Sequence, residues 1–259
     1  MAIVRGLCRV FPGDVYLTAP DSEEAMNAID QLRSEGLGPK FYPLDITDKV
    51  EVEKFGEFLK NYYGDIDILV NNAGIAYKPD TVESFKTQAE MTCRTNFYGT
   101  LHVCETLFPI LSSHARVVNI SSDVSKIAIR MCSEKIRSHL TDPNLTMEEL
   151  KEMVDSYVRA TRSGTQVEEG WPITPYALSK IGITLMTFIQ QREFLNDVRP
   201  GIVVNTCCPG FVNTIMTSHR GTLSPDEGAD TPLYLATLPR NTNIPCGNYV
   251  TNRKIQPWG

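Results

Sequence analysis

The sequence predicts an α/β fold, a doubly wound parallel sheet with helices on both faces. Three observations lead to this class. Short apolar runs alternate along the chain with longer amphipathic stretches. Polar or glycine-containing motifs directly follow several of the apolar runs. The 259 residues, 42% hydrophobic and 22% charged, suit one large globular unit, and we expect a single domain over 1–259.

The alternation can be followed element by element. In the first half, helices are expected over residues 2–10, 22–34, 47–62 and 84–112, and strands over 14–19, 41–44, 66–70 and 116–122. In the second half, helices are expected over 176–196 and 225–238, and strands over 202–208 and 248–251, before a polar tail. Thr47 suits the N-cap of the third helix, and Ser224 with Glu227 forms a capping box for the last one.

One segment interrupts this alternation. More than fifty residues separate Ser122 from Tyr176, a longer connection than is usual between a strand and a helix. Thr146 and Glu149 form a capping box there. The helix behind it carries an apolar stripe of Leu150, Met153, Val154, Tyr157 and Val158. We expect a helical insertion over about 126–170, whose stripe packs on the same chain or, alternatively, forms an interface.

The charge and the cysteines limit the function classes. A net charge of −6 argues against a surface for nucleic acid or for an anionic membrane. No apolar run approaches the roughly eighteen residues of a membrane span, and the N-terminal residues lack a signal-peptide pattern. The seven cysteines are scattered, with no C-x-x-C and no pairing with histidines. We therefore expect reduced thiols, no metal site and a cytoplasmic location.

The helix over 176–196 carries the residues with the clearest chemistry. Tyr176 and Lys180 are four residues apart, which places them on one face of a helix. An ammonium near a phenol stabilises the phenolate, so we expect Lys180 to lower the pKa of Tyr176 from its usual value of about 10. Tyr176 could then donate a proton to an alkoxide forming at a carbonyl. Taken alone, the pair is a weak signal and fits an ordinary surface helix better.

Polar motifs at the ends of three expected strands strengthen this hypothesis. Three polar motifs fall at strand ends: Asn71–Gly74, Ser121–Ser122 and Cys208–Gly210. Ligands of such sheets bind outside the carboxyl ends of the strands, so these motifs should converge on one cleft. Ser122 could there donate a hydrogen bond to a substrate carbonyl and stabilise charge on its oxygen. Each motif by itself fits a simple turn, but their joint occurrence in this order does not.

These motifs resemble those of the short-chain dehydrogenase/reductase family over nearly the whole chain. The matching residues, in order, are Asn71-Asn-Ala-Gly74, Asn96, Ser122, Tyr176-x-x-x-Lys180 and Pro209-Gly210. The sequence is most similar to the monomeric carbonyl reductases of that family, through Leu17–Ala19, Thr95–Thr100, Glu169–Pro172, Cys207–Gly210 and the helical insertion. The resemblance implies a Rossmann-like fold and NADPH-dependent reduction of ketones, aldehydes and quinones by a monomer.

The resemblance also implies roles for individual residues. Tyr176 would be the acid and Ser122 the group that polarises the carbonyl. Lys180 would contact the tyrosine and the ribose, and Asn96 would anchor a water relay. The other cofactor-binding residues would be Asp45 and Ile46 at the adenine, Asn72, Ala73 and Gly74 at the ribose, and Val212, Asn213 and Thr214 at the nicotinamide amide. The substrate mouth would include Phe211 and Cys208, although Cys208 fits better as a small buried hydrophobe.

Two departures from the family pattern concern the cofactor. The family opens with a strand and a glycine-rich loop, T-G-x-x-x-G-x-G, but this sequence lacks the loop and starts within the helix that should follow it. The arginines that would hold a 2′-phosphate are replaced by Pro20 and Glu24. We therefore expect weakened NADPH binding, with NADH as a usable substitute.

Two other functions stay open at this stage. The first is an N-terminally truncated, non-catalytic variant that keeps the sheet but binds cofactor poorly or not at all. The second is a sugar epimerase or dehydratase that uses the same tyrosine and lysine. The second is less favoured, because those relatives need a larger C-terminal substrate domain than the roughly fifty residues after Cys208 could form.

Overall fold

A computed structural model describes residues 1–20 and 23–259 of the chain. The α-helices are α1 Ala2–Val10, α2 Glu23–Ser34, α3 Lys49–Tyr63, α4 Phe85–Thr92, α5 Thr100–Leu107, α6 Asp123–Met131, α7 Glu134–Leu140, α8 Met147–Ser163, α9 Pro175–Phe194 and α10 Pro225–Ala236. The strands are β1 Tyr16–Ala19, β2 Lys40–Pro43, β3 Ile66–Asn71, β4 Leu111–Ile120, β5 Val203–Cys207, β6 Tyr249–Thr251 and β7 Lys254–Ile255. The expected alternation of strands and helices is confirmed. The expected start of α2 at Ser22 lies outside the described residues.

The strands follow a doubly wound order with an interruption. In the described ranges, β1 and β2 pair in parallel, and β3, β4, β5, β6 and β7 form a second sheet in that order. The pairs within the second sheet are parallel except for β6 with β7, which is antiparallel. The fold is therefore of the expected α/β, Rossmann-like class.

The interruption lies between β1 and β3. Among the described residues, no backbone hydrogen bond joins these two strands, so β1 and β3 do not pair directly. Its effect is visible in β3, where Ile68, Leu69 and Val70 are only half-buried, whereas every residue of β5 is buried. In the part of the chain that the structure describes, β3 is thus an open sheet edge with apolar side chains.

Helices and side chains connect the two sheets instead. Arg5 in α1 donates to Glu35 beyond α2, at 2.7 and 2.8 Å, and to Asp226 in α10 at 2.9 Å. Just before β1, the carboxylate of Asp14 accepts hydrogen bonds of 2.6 Å from both Lys40 and Tyr63. These contacts join β1 and β2 to helices that pack on the larger sheet.

The core is arranged as two helical layers around the sheet. Ile68 and Val70 of β3 pack on the side of α1 and α10, whereas Leu69 packs on the side of α3 and α5. This alternation is that of a strand with both faces covered. In the described part of the chain, no helix combines the length and the apolar character that crossing a membrane requires.

The insertion before the tyrosine helix is helical, as expected, and consists of α6, α7 and α8. The capping box of Thr146 and Glu149 at the start of α8 is confirmed. Leu150, Val154 and Tyr157 are buried in the same cluster as residues of α9, with Met153 and Val158 partly buried against it. The stripe therefore packs on the body of its own chain.

Three details of the predicted elements were wrong. Asp48, not Thr47, caps α3, because its carboxylate accepts from the Val50 and Glu51 amides. The helix expected over 84–112 ends at Leu107, since Pro109 lies in the short 3₁₀ turn that follows, and β4 begins at Leu111. The polar tail contains β7, which pairs with β6 around a turn at Asn252 and Arg253.

Candidate functional site

Three polar motifs meet at one edge of the larger sheet. Asn71 of β3 is level with Asn119 of β4, and Ile120 of β4 is level with Cys207 of β5. The motifs that follow these strands, 72–74, 121–122 and 208–210, are therefore neighbours. Their convergence at the carboxyl ends of parallel strands matches the expected position of a ligand cleft.

The tyrosine and the lysine enter this edge from the first turns of α9. Thr174 caps the helix, and Pro175 occupies a first-turn position, where a missing N–H is tolerated. Lys180 is buried, and its Nζ donates a 2.7 Å hydrogen bond to the carbonyl of Ile120 at the end of β4. The same Nζ lies 5.6 Å from the centre of the Tyr176 ring.

The expected direction of the Tyr176 pKa shift was wrong. Burial of the phenol raises the pKa of Tyr176, and its hydrogen bond with Ser122 offsets part of the effect. Burial also lowers the pKa of Lys180 to about 8. The ammonium is directed to the Ile120 carbonyl rather than to the phenol oxygen. Tyr176 therefore keeps its proton at neutral pH, and most Lys180 side chains are charged at pH 7.

Asn96 lies in a π-helical turn, Cys93–Gly99, between α4 and α5. Its Oδ1 accepts a 2.8 Å hydrogen bond from the amide of Ile75, and its Nδ2 donates to the Ile75 carbonyl at 2.9 Å. Nδ2 also donates at 3.0 Å to Ser179, next to Lys180 in α9. Asn96 thus joins the segment after β3 to the tyrosine helix, and π-helical turns are frequent at functional sites.

Ser122 is held at the N-terminus of α6. Its hydroxyl accepts from the Val124 amide at 3.3 Å, and its carbonyl accepts from the Ser125 hydroxyl at 2.7 Å. Ser125 in turn accepts a 3.0 Å hydrogen bond from the indole N–H of Trp258. The C-terminal tail is therefore linked through Ser125 to the backbone of Ser122.

The residues that the resemblance assigns to the cofactor lie along the same edge. Asn72 and Ala73 are exposed, and a Cβ atom on Gly74 would lie 3.1 Å from Asn96 Oδ1 and 3.8 Å from Lys180 Nζ. Asp45 and Ile46 follow β2 and are half-buried. The loop after β5 contains Val212, Asn213 and Thr214. An added side chain at Gly74 would crowd Asn96 and begin to fill the space beside Lys180.

The substrate side of the site is open and partly apolar. Phe211 is 51% exposed, whereas Cys208 is 5% exposed and burial raises the pKa of its thiol. Cys208 is thus a small buried group, the role that the sequence favoured. A cavity of about 290 Å³ adjoins Tyr176 and is also lined by residues of the segment after β3 and of α4, among them Tyr77, Lys78 and Phe85.

Sequence reasoning missed a pair of residues beside Ser122. Asp123 is exposed at the first turn of α6, and the phenol of Tyr249 in β6 donates a 2.9 Å hydrogen bond to its Oδ1. Asp123 directly follows Ser122, so proximity to a candidate site residue could have identified it. The partner, Tyr249, is 126 positions away and gives no such signal.

Comparison with known proteins gives a consistent result. A family model described as short chain dehydrogenase matches residues 8–134. Carbonyl reductase [NADPH] 1 of Homo sapiens is 43% identical over 260 residues, covering 100% of this chain and 94% of that protein. The Mus musculus protein of the same name is 44% identical over 259 residues, covering 99% and 93%. Salutaridine reductase from Papaver somniferum has a similar structure, with a TM-score of 0.85, 26% identity and coverage of 96% and 94%.

The family model ends before α9, but the two carbonyl reductases extend the match across it. Their alignments cover 99% or more of the chain, and so include the region of Tyr176 and Lys180 as well as Ser122. The fold, the order of the motifs and this identity agree. The chain belongs to the short-chain dehydrogenase family.

Proposed function

We propose that the protein is a carbonyl reductase that uses NADPH to convert ketones, aldehydes and quinones to alcohols. The observation that carries the proposal is the convergence of Ser122, Tyr176, Lys180 and Asn96 at the carboxyl ends of β3, β4 and β5. The mammalian relatives at 43 and 44% identity are named carbonyl reductases with NADPH. Both lines of support lead to the same reaction class.

The residues present fit the nicotinamide half of the cofactor. Gly74 leaves the space beside Lys180 free, and the charged Nζ is suited to the ribose hydroxyls. Asn72 and Ala73 continue the same surface, with Val212, Asn213 and Thr214 assigned to the nicotinamide amide and Asp45 and Ile46 to the adenine. For the pyrophosphate, the 259 residues offer no glycine-rich loop of the family pattern.

In the proposed reaction the protein positions the carbonyl and supplies its proton. When bound, the dinucleotide would supply the hydride that reduces the carbonyl carbon. Ser122 donates a hydrogen bond to the carbonyl oxygen, where negative charge develops. Tyr176 gives that oxygen its proton, since burial keeps the phenol protonated at neutral pH. Lys180 contributes positive charge beside the phenol, and Asn96 fixes the helix and the strand end relative to each other.

The proposal can be tested with the purified 259-residue protein. NADPH is first titrated while its fluorescence is followed, and consumption of NADPH is then measured with a quinone, a diketone and an aromatic aldehyde. We expect binding and substrate-dependent consumption. A protein that binds NADPH but reduces none of these compounds would contradict the assignment to carbonyl reduction, and absence of binding would favour the non-catalytic alternative.

Discrimination between NADPH and NADH should be weak, below about a hundredfold in kcat/KM. A 2′-phosphate is held most strongly by a bidentate arginine, but the exposed Pro20 supplies no charge and the exposed Glu24 repels a phosphate. Replacing Glu24 with arginine should raise the preference for NADPH by about tenfold or more, the value of one charged hydrogen bond. The neighbouring Glu23→Arg variant makes the same charge change and serves as the control. A preference above a hundredfold in the unaltered chain would contradict this prediction.

We propose that the protein is a monomer. The apolar stripe of α8 is already buried against α9, and Tyr98 donates to the Lys151 carbonyl at 3.2 Å and to Asp155 at 2.5 Å, which fixes α8 further. The surface beside the tyrosine helix is thus covered from within the chain. Light scattering should give a mass near 29.0 kDa that does not change with concentration. A dimer or tetramer mass would show that another surface associates.

We also propose a cytoplasmic location. All seven cysteines, each among the described residues, are free thiols, and five of them are buried. Free thiols are usual in a reducing compartment. Cell fractionation with an antibody to the protein would test the location, and recovery in a membrane or secreted fraction would contradict it.

A further inference from the structure

The carboxylate of Asp123 is held in a fixed position at the edge of the proposed active site. Tyr249 is 1% exposed, and its hydroxyl donates to Asp123 Oδ1 at 2.9 Å. Burial raises the pKa of Tyr249, so the phenol keeps its proton and remains a donor at neutral pH. Asp123 itself is exposed. One carboxylate oxygen is therefore anchored by a buried phenol, while the group as a whole remains in contact with solvent.

This carboxylate is next to the proposed polarising serine in the chain and close to the end of β5 in space. Asp123 directly follows Ser122, whose hydroxyl is within hydrogen-bonding reach of the Tyr176 phenol. On its other side is Cys208, whose thiol is close enough to Asp123 for the negative charge to contribute to its raised pKa. Asp123 therefore lies between the β5 and β6 strand ends and the start of α6, beside the proposed polarising serine.

Nearby cations do not neutralise this charge by direct contact. In the described part of the chain, Asp123 takes part in no ion pair within 4.0 Å. Lys180 is buried and directed to the Ile120 carbonyl. Lys78 lines the cavity beside Tyr176 on the side of α4. The negative charge of Asp123 is therefore not offset by a direct ion pair within the described ranges.

We propose that Asp123, anchored by Tyr249, determines specificity by disfavouring anionic carbonyl substrates relative to neutral ones of the same shape. The inference rests on the proposed carbonyl reductase function and adds to it a substrate class, neutral or cationic carbonyl compounds. Like charges repel with an energy that falls with distance and with the local dielectric constant. We expect an effect of about fivefold in affinity, which corresponds to a repulsion of about 1 kcal/mol.

The test uses two aldehydes that differ mainly in charge. 4-Carboxybenzaldehyde is an anion at neutral pH, and methyl 4-formylbenzoate is its neutral ester. Dissociation constants of both are measured by calorimetry, with and without NADPH, and kcat/KM is measured with NADPH. The preference for the ester is compared among the wild-type protein, Asp123→Asn, Tyr249→Phe and a control, Glu53→Gln. Glu53 is exposed on α3, and its replacement changes the total charge by the same amount as Asp123→Asn.

We expect the wild-type protein to prefer the ester, and Asp123→Asn to reduce this preference about fivefold. Tyr249→Phe keeps the charge but frees the carboxylate, so its preference should be intermediate. Glu53→Gln should leave the preference unchanged. Raising the ionic strength from about 0.01 M to about 1 M shortens the Debye length from about 30 Å to about 3 Å, which should weaken the wild-type preference but not that of Asp123→Asn.

Each result either supports the inference or overturns it. Because a preference is a ratio within one protein, a general loss of folding or activity does not change it, and melting temperatures identify any misfolded variant. An unchanged preference in Asp123→Asn, or an equal change in Glu53→Gln, overturns the inference. So does failure of the wild-type protein to bind either compound. Binding with the expected ratios but without NADPH consumption would instead show that the proposed reaction is wrong and the charge selectivity correct.

Discussion

Replacing Tyr176 with phenylalanine should remove nearly all carbonyl reductase activity, a loss of about 10²–10⁴-fold in kcat. The change deletes one hydroxyl, the proposed proton donor, and keeps the ring that lies 5.6 Å from Lys180 Nζ. NADPH affinity and melting temperature should change little, since the contacts of the ring are retained. Turnover is measured under saturating NADPH with the quinone on which the wild-type protein is most active.

Two further variants separate the proton from the rest of the site. Ser122→Ala should lower kcat by a comparable factor, because it removes the donor that faces the developing oxyanion. Tyr98→Phe removes a phenol hydroxyl that binds α8 outside the proposed active site, at Lys151 and Asp155, and is the matched control with activity near wild type. Turnover of Tyr176→Phe near that of the unaltered protein would contradict the assignment of the acid.

The pH profile gives an independent check on the same site. Burial lowers the pKa of Lys180 to about 8, so its ammonium is present below that pH and is lost above it. The pKa of Tyr176 is raised by burial, so the phenol itself does not limit the reaction near neutrality. If the lysine charge assists the proton transfer, kcat/KM should therefore be constant towards pH 6 and fall as the pH rises through about 8. A profile that is flat up to pH 10 would show that the charge is not required.

The sequence predicted the fold well where local signals act alone. Apolar runs identified the strands up to β6, and the capping boxes at Thr146 and Ser224 marked the starts of α8 and α10. The long helix ends earlier than the apolar pattern predicts, because Pro109 has no N–H donor to continue it. The short β7 was missed because its pairing depends on a tight turn in which Asn252 and Arg253 have positive φ.

The candidate site was also predictable only in part. The order of the motifs and the rule for strand ends were sufficient to bring Ser122, Tyr176 and Lys180 into one cleft. The direction of the Tyr176 pKa was not predictable, because the loss of hydration depends on residues packed around the phenol, whereas the sequence shows only the nearby lysine. Tyr249 likewise reaches Asp123 only because β6 is the neighbour of β5 in the folded sheet.

A version of the chain with a strand and a glycine-rich loop added before Met1 should be more stable than the 259-residue chain. It should also bind NADPH at least about a hundredfold more tightly. In the described ranges, no strand pairs with the free edge of β1 or of β3. Neighbouring strands lie about 4.8 Å apart, so one added strand between them fills a slot of roughly 9.6 Å. Water reaches the half-buried β3, which reduces the cost below the 1–3 kcal/mol of each fully buried unpaired group. Several such groups are still a large part of a usual stability of about 5–15 kcal/mol.

The gain in affinity should come from the loop and the gain in stability from the strand. Backbone N–H groups of a glycine-rich loop bind the pyrophosphate directly, and two charged hydrogen bonds of about 1.5 kcal/mol each account for a hundredfold. The added segment is therefore compared with a second version whose loop glycines are valines, and with a scrambled segment of equal composition. The valine version should have the higher melting temperature of the glycine version but not its NADPH affinity, because side chains keep the backbone away from the phosphates. The scrambled version should show neither gain. Equal melting temperatures and equal NADPH affinities with and without the segment would show that the open edge of β3 costs the protein nothing.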